Sequence, residues 1–250
     1  MVNPTSSADT RIQNGNKTER AVDRMSSEAR AQADFATIAY NPASDRPACM
    51  HGHSYQQNLS DDRVAVYRDE KNQRTQIAYR GSVDAKDWLR SDAALAVGMP
   101  GVDSTFRRDT RQFGQLREAF KGDKFSVTGH SLGGSRAYEI ARRSADVTGT
   151  TFNMGGALPG QNKSHLVDRV RCMFGNCREN IQQHHTTGDV VSLSNVATGG
   201  RRHNYSLRNE GESYDPVRAH GMDPYIRGSE YTDQFRFPTE RAFSFRDFFS

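Results

Sequence analysis

The chain has 250 residues, with 34 Lys and Arg against 30 Asp and Glu and a formal net charge of +4. Its hydrophobic content of 34% and mean hydropathy of −0.83 predict a domain with a real core, accompanied by polar segments. The longest apolar run, residues 93–97, is far shorter than the roughly 18 to 20 residues that a membrane-spanning helix needs, so a transmembrane protein is excluded.

The polar start of the chain, residues 1–18, predicts a disordered arm that carries no chemistry. It lacks the apolar core of a secretory signal, so the cytosol, a virion and delivery as an effector all stay open as locations. After residue 18, apolar residues recur at spacings of three and four and predict a helix that Pro42 ends. This stripe consists of Val22, Met25, Ala29, Ala33, Ala36 and Tyr40.

Strand and helix signals then alternate along the chain. Residues 63–68 and 74–80 predict an antiparallel hairpin, and residues 124–128 predict a strand that leads into a helix. Residues 149–153 predict the next strand. This order is typical of an α/β protein with a largely parallel sheet, which binds ligands at the carboxyl edge of its strands. No repeat or linker divides residues 19–250, so we predict a single domain there.

The segment Gly129-His130-Ser131-Leu132-Gly133 lies between the predicted strand and helix. Gly-x-Ser-x-Gly in this context is typical of a nucleophile elbow, a tight turn whose flanking glycines avoid collisions with strand and helix. The pattern predicts Ser131 as a nucleophile. The amide of Leu132, at the start of the helix, is predicted to donate to a developing oxyanion. A glycine-rich structural turn is the alternative.

A serine nucleophile needs a base and an acid that orients the base. Asp189 is the best-placed acid, because it follows the predicted strand 181–187 through Gly188. The other acids near predicted loops are Asp146, Asp168, Asp215 and Asp223.

His220 is the first choice of base, since glycine and Asp-Pro around it predict a loop. His203 is the second choice. His184 and His185 lie inside a predicted strand, where packing is the expected role.

Several motifs together resemble the class 3, or fungal-type, lipase family over residues 20–226. They are Tyr79-Arg80-Gly81-Ser82, Asp87-Trp88 with Asp92, Gly129-His130-Ser131-Leu132-Gly133-Gly134, the block 151–160, Gly188-Asp189-Val190-Val191, and His220 with Tyr225. The resemblance implies an α/β-hydrolase fold and a Ser131, Asp189 and His220 triad that cleaves acyl esters of lipids without a cofactor. The implied substrate is an acylglycerol or a phospholipid at a membrane or micelle surface. A lipid acyltransferase and an inactive lipid-binding module are the alternatives.

The resemblance also assigns supporting residues. Ser82 occupies the oxyanion position together with the Leu132 amide. Residues 83–92 correspond to a lid in which Trp88 and Leu89 cover the serine, with a fixed surface helix as the alternative. His130 is expected to bind the substrate together with Trp88 and Leu89.

The remaining features have competing interpretations. Six of the 13 Phe lie within residues 235–249, interleaved with Arg, and predict either an interfacial anchor or a segment packed on the core. Three cysteines are an odd count, which argues against a disulfide scaffold but leaves a local Cys172–Cys177 bridge open. The spacing of Cys49, His51 and His53 fits no established zinc site, so no metal is expected. Scattered Arg without base-reading motifs predicts no nucleic-acid partner.

Overall fold

The computed structural model describes residues 25–82, 102–155, 162–187, 189, 191–192, 199–206, 220–222 and 225–226. The predicted arm at residues 1–18, the lid residues Trp88 and Leu89, and the Phe-rich segment 235–249 lie outside the described residues. The boundaries of the predicted 19–250 domain lie outside them as well.

Eight strands form one sheet, and each strand pairs with the next along the chain. They are β1 (Cys49–Met50), β2 (His53–Tyr55), β3 (Val64–Asp69), β4 (Arg74–Tyr79), β5 (Lys124–His130), β6 (Thr148–Phe152), β7 (Ile181–Thr187) and β8 (Arg201–Ser206). Strands β1 to β4 pair antiparallel, whereas β4 to β8 pair parallel. The register pairs Val64 with Tyr79 and Asp69 with Arg74, which confirms the predicted hairpin.

The described helices are α1 (Ser27–Ile38), α2 (Val102–Ala119), α3 (Leu132–Arg143) and α4 (Asn162–Met173), with short 3-10 turns at Ala43–Asp45 and Gln57–Leu59. Helix α1 begins later than the apolar stripe indicates, because the Ser26 side chain accepts a hydrogen bond from the Ala29 amide at 3.1 Å and caps the helix. None of these helices is both long and apolar enough to cross a bilayer.

Side chains alternate between the two faces of the sheet, as strand geometry requires. On β3, Val64 and Val66 join a core cluster with residues of α2 and α3. Ala65 and Tyr67 join a second cluster with residues of α1 on the opposite face. The sheet therefore lies between α1 and the pair α2 and α3.

A third apolar cluster fixes the segment that follows residue 220. Met222, Tyr225 and Ile226 are buried with Phe152 at the end of β6 and with the small residues of α1. This packing holds the segment at the carboxyl edge of the parallel strands. The edge is where an α/β sheet places its ligand site.

Candidate active site

Ser131 lies in a strained turn between β5 and α3. Its backbone has φ 55° and ψ −127°, a region that residues with side chains rarely adopt. Glycines permit the turn: a Cβ on Gly133 would collide with the Tyr79 carbonyl, and one on Gly129 would collide with the backbone of Gly133. The turn predicted from the Gly-x-Ser-x-Gly pattern is therefore present, with Ser131 at its apex.

Ser131, His220 and Asp189 are hydrogen-bonded in series at the carboxyl edge. The Ser131 Oγ lies 2.9 Å from His220 Nε2, and His220 Nδ1 lies 3.0 Å from Asp189 Oδ1. All three side chains are buried. Because a carboxylate only accepts, Nδ1 carries the proton and Nε2 is the nitrogen that accepts from the serine hydroxyl. The arrangement allows the serine proton to pass to His220.

Asp189 follows β7 and is held by its own loop. Its carboxylate accepts from the Val191 amide at 3.0 Å, from the Ser192 amide at 3.2 Å, and from the Ser192 hydroxyl. Burial opposes ionisation of Asp189, but the charge and hydrogen bond of His220 and the donors of residues 191 and 192 outweigh it. Together they hold the pKa of this carboxyl below its ordinary value. Asp189 is therefore an anion at neutral pH.

The Ser192 hydroxyl is itself oriented by a second histidine. His185 Nδ1 lies 3.1 Å from Ser192 Oγ. Since the hydroxyl proton goes to Asp189, His185 donates to Ser192. Burial lowers the pKa of His185 to about 4, and the charge of Arg202 acts in the same direction. His185 is therefore buried and also hydrogen-bonds the Ser192 hydroxyl that donates to Asp189.

The backbone of His220 is held by two buried side chains. His130 Nε2 lies 2.6 Å from the His220 carbonyl oxygen, and Asn153 Nδ2 lies 3.0 Å from the same atom. The other ring nitrogen of His130 lies 2.8 Å from the Tyr40 hydroxyl. His130 is only 3% exposed and both its nitrogens bond within the protein. Its position therefore suits a supporting role instead of the substrate contact expected from the sequence.

The loop that carries Ser82 lies directly beside the elbow. A Cβ built on Gly81 would lie 2.8 Å from the His130 carbonyl oxygen and 3.3 Å from Ser131 Cβ, so only glycine allows this approach. Leu132 is the first residue of α3, and its amide is among those that have no acceptor within a helix. Gly81 thus brings the residue before Ser82 next to Ser131, and Leu132 follows Ser131 directly. The role of Ser82 and the Leu132 amide at the oxyanion stays a prediction.

A buried ion pair lies beneath this loop. Arg136 Nη1 donates to the Arg80 carbonyl at 3.2 Å, while Arg136 Nε lies 3.4 Å from Asp109. Arg63 contacts the same carboxylate at 3.4 Å. Burial raises the pKa of Asp109 although both guanidinium groups oppose the shift. The pair anchors the residue that precedes Gly81.

The other candidates lie elsewhere. Asp168 is buried in α4 and pairs with Arg178 at 2.9 Å, and Asp146 pairs with Arg117 at 2.6 Å. His203 is exposed on β8 and stacks on His184, with ring centroids 4.8 Å apart. Asp215 and Asp223 lie outside the described residues.

The cysteines and the Cys49 segment show no metal-binding arrangement in the described ranges. Cys172 and Cys177 form a disulfide, the local bridge that the spacing left open, and Cys49 is an exposed free thiol. His51 pairs with Asp34 at 2.8 Å. No group of three or more His, Cys, Asp or Glu in the described part of the chain could hold a metal ion.

Sequence reasoning missed Tyr40, Asn153 and Ser192 as parts of the site. Asn153 has a φ of 42°, and an Asn as the last residue of a predicted strand was a usable signal, since Asn tolerates this conformation better than most residues. Ser192 lies three residues after the acid, a spacing typical of side-chain capping in a turn. Tyr40 lies 90 residues from its partner His130, and no local pattern joins them.

A family model described as a Tle-like phospholipase domain matches residues 27–215, more than half of the chain. Among solved structures, the chain is similar to Rhizomucor miehei lipase at 15% identity and a TM-score of 0.50, over 80% of this chain and 76% of that one. It is also similar to Yarrowia lipolytica Lip2 lipase at 14% identity and a TM-score of 0.48, over 72% of this chain and 78% of that one. No curated protein matches the chain by sequence. The likeness to the Rhizomucor enzyme confirms the α/β-hydrolase fold.

Proposed function

Because the chain belongs to the Tle-like phospholipase family, we propose that this lipid ester hydrolase cleaves fatty-acyl esters of phospholipids through a covalent acyl-enzyme. Ser131 is the nucleophile, His220 the general base and Asp189 the acid that orients the base. The observation that carries the proposal is the hydrogen-bond series from Ser131 through His220 to the Asp189 carboxylate.

In the first half of the reaction, Ser131 Oγ attacks the ester carbonyl carbon and its proton moves to His220 Nε2. The tetrahedral intermediate collapses, the bond to the glycerol oxygen breaks, and that oxygen takes the proton from His220. Lysophospholipid leaves. While His220 carries the extra proton, the Asp189 carboxylate stabilises the imidazolium, because its lowered pKa keeps it ionised.

In the second half, water attacks the acyl-enzyme and gives its proton to His220. Ser131 then recovers that proton as the fatty acid leaves. In both halves the carbonyl oxygen becomes an anion that the Leu132 amide and Ser82 stabilise. The proximity of Gly81 to Ser131 Cβ supports this assignment, since it brings the loop of Ser82 beside the nucleophile.

The substrate is a lipid presented at a surface. The family description supports phospholipid over neutral lipid. The Arg-rich composition, 28 Arg against 6 Lys, suits an anionic headgroup because guanidinium binds phosphate oxygens in a bidentate manner.

Product analysis by mass spectrometry tests the proposal. Wild type, Ser131→Ala and the control Ser126→Ala are incubated with mixed phospholipid liposomes and, separately, with a triglyceride emulsion. Ser126 lies on the same strand but outside the site. We expect lysophospholipid and free fatty acid from wild type and Ser126→Ala, and neither from Ser131→Ala.

Other products would change the conclusion. Diacylglycerol as the main product would replace phospholipid by neutral lipid as the substrate. Acyl transfer to an added alcohol that outpaces hydrolysis would make the protein an acyltransferase. Wild-type turnover by Ser131→Ala would overturn the assignment of the nucleophile.

A further inference from the structure

A hydrogen-bond chain beside the proposed triad begins at Tyr40, just after α1. The Tyr40 hydroxyl lies 2.8 Å from His130 Nδ1 and also hydrogen-bonds the backbone of Gly81. His130 Nε2 lies 2.6 Å from the His220 carbonyl oxygen. The chain thus connects the Ser82 loop, the elbow and the segment that carries the base.

The direction of each hydrogen bond follows from the groups involved. A carbonyl oxygen only accepts, so His130 carries its proton on Nε2. Burial and, to a smaller extent, the charge of His220 lower the pKa of His130 to about 3, so the ring is neutral at physiological pH. Nδ1 therefore accepts from Tyr40, whose oxygen is left to accept from the Gly81 amide.

We propose that Tyr40 and His130 are positioning residues that fix the base and the oxyanion loop relative to the nucleophile. The inference rests on the proposed function, since it assigns roles within that reaction. Both side chains are buried, at 5% and 3% exposure. Their effect passes through the backbones of His220 and Gly81.

The proposed catalytic groups come from different parts of the fold, which is why they need a positioning contact. Ser131 follows β5, Ser82 follows β4, and His220 lies in a segment that is not part of the sheet. The sheet alone sets the distance between the first two groups but not the position of the third. The bond from His130, the residue next to the nucleophile, supplies that constraint together with the bond from Asn153.

Ring packing alone is the competing explanation. The rings of Tyr40 and His130 are 5.8 Å apart, and those of His130 and His220 are 4.8 Å apart. Phenylalanine at position 40 keeps the packing and removes only the hydroxyl. Tyr40→Phe therefore separates the two explanations.

The first experiment measures kcat, KM and thermal unfolding of Tyr40→Phe on a soluble ester and on liposomes. We expect kcat to fall about 10- to 100-fold, as a misplaced catalytic group would cause, while KM changes little. The unfolding temperature should fall by a few degrees, since the Gly81 amide and His130 Nδ1 lose a buried partner. Tyr67→Phe is the matched control, because Tyr67 is also buried and its hydroxyl bonds the Pro47 carbonyl away from the site. Equal kcat values for Tyr40→Phe, Tyr67→Phe and wild type would overturn the inference.

The second experiment compares two amides at position 130. A Gln side chain places its amide near the Nε2 position and keeps a donor for the His220 carbonyl, whereas Asn is too short to reach it. We expect His130→Gln to retain at least tenfold more kcat than His130→Asn, a rescue that loss of packing does not explain. In the double variant Tyr40→Phe, His130→Asn the losses of kcat should be non-additive, since both substitutions break the same series of hydrogen bonds.

The outcomes separate this inference from the proposed function. If wild type and Ser131→Ala show the same activity, the proposed function fails. If Ser131→Ala is inactive but Tyr40→Phe and His130→Asn match wild type, the proposed function stands and only the positioning role is wrong.

Discussion

Asn153 donates from Nδ2 to the His220 carbonyl oxygen at 3.0 Å, from a backbone position with φ 42°. Its Oδ1 accepts from the Thr186 amide and hydroxyl, both at 2.9 Å, and from the Tyr225 hydroxyl at 2.7 Å. One fully buried side chain therefore ties the end of β6 to β7 and to the segment of the proposed base. Its loss leaves several buried groups without partners.

We predict that Asn153→Gly lowers both stability and activity. Glycine keeps the backbone conformation, so the variant isolates the amide. The free energy of unfolding should fall by about 2 to 3 kcal/mol, the cost of unsatisfied buried polar groups, and kcat should fall at least about tenfold because His220 is less constrained. Urea unfolding and ester hydrolysis measure the two effects.

Asn180→Ala is the control for this prediction. Asn180 Nδ2 donates to the carbonyls of Ala141 at 3.0 Å and Val147 at 2.8 Å, at the opposite edge of the sheet. Its loss should reduce stability without reducing kcat. An Asn153→Gly variant with unchanged kcat would show that Asn153 only stabilises the fold.

The strained backbone of Ser131 predicts an unusual order of stabilities. Alanine keeps the penalty of φ 55° whereas glycine relieves it, so Ser131→Gly should be more stable than Ser131→Ala by about 1 kcal/mol. Both variants should be inactive. At Ser135, inside α3, the order should reverse because glycine is unfavourable in a helix. The same order at both positions in thermal unfolding would contradict the argument from strain.

The residues of the candidate site that can be predicted from the sequence are those with a recognisable pattern in the neighbouring sequence. Ser131 stands in a turn whose glycines are dictated by close approach, and Asp189 and the strand before it are adjacent in the sequence. Tyr40 and Asn153 were missed because their partners lie 90 and 67 residues away. Hydrogen bonds across such separations are set by how α1 and the described residues 220–222 and 225–226 pack on the sheet, which no spacing in the sequence reveals. The start of α1 at Ser27, later than the apolar stripe predicts, is a further difference, and the cap formed by the Ser26 side chain sets it.

Ser192 predicts a shift in the pH dependence of activity. Ser192→Ala removes one of the donors that lower the pKa of Asp189, so that pKa should rise toward its ordinary value. The carboxylate is then protonated at a higher pH, and the part of the acid-side loss of kcat/KM that comes from protonation of Asp189 should begin at a higher pH than in wild type. Ser192→Thr keeps the hydroxyl and should restore the profile. If kcat/KM of Ser192→Ala fell by the same factor at every pH, Ser192 would not act through the pKa of Asp189.

The ion pair beneath the Ser82 loop predicts a non-additive effect on stability. Asp109→Leu leaves Arg136, which is 8% exposed, without its carboxylate and should cost about 3 to 5 kcal/mol. Combining it with Arg136→Met removes both charges, so the double variant should be less destabilised than the sum of the single variants. A urea unfolding cycle measures this coupling. Strict additivity would mean that the pair contributes no mutual stabilisation.

Three buried histidines predict that the fold weakens in mild acid. Burial is the main cause that lowers the pKa of His130 and His184 to about 3 and of His185 to about 4, from an ordinary 6.5. Below pH 6.5 the unfolded chain binds protons that the folded protein does not, so stability is full above this pH and falls as the pH drops toward 3 to 4. Between about pH 7.5 and pH 5.5 each histidine should cost about 1.4 kcal/mol, or about 4 kcal/mol together. His184→Phe, which can keep the stacking on Phe152, should remove about a third of this loss in urea unfolding, and equal urea midpoints at the two pH values would show that these histidines are protonated in the folded protein.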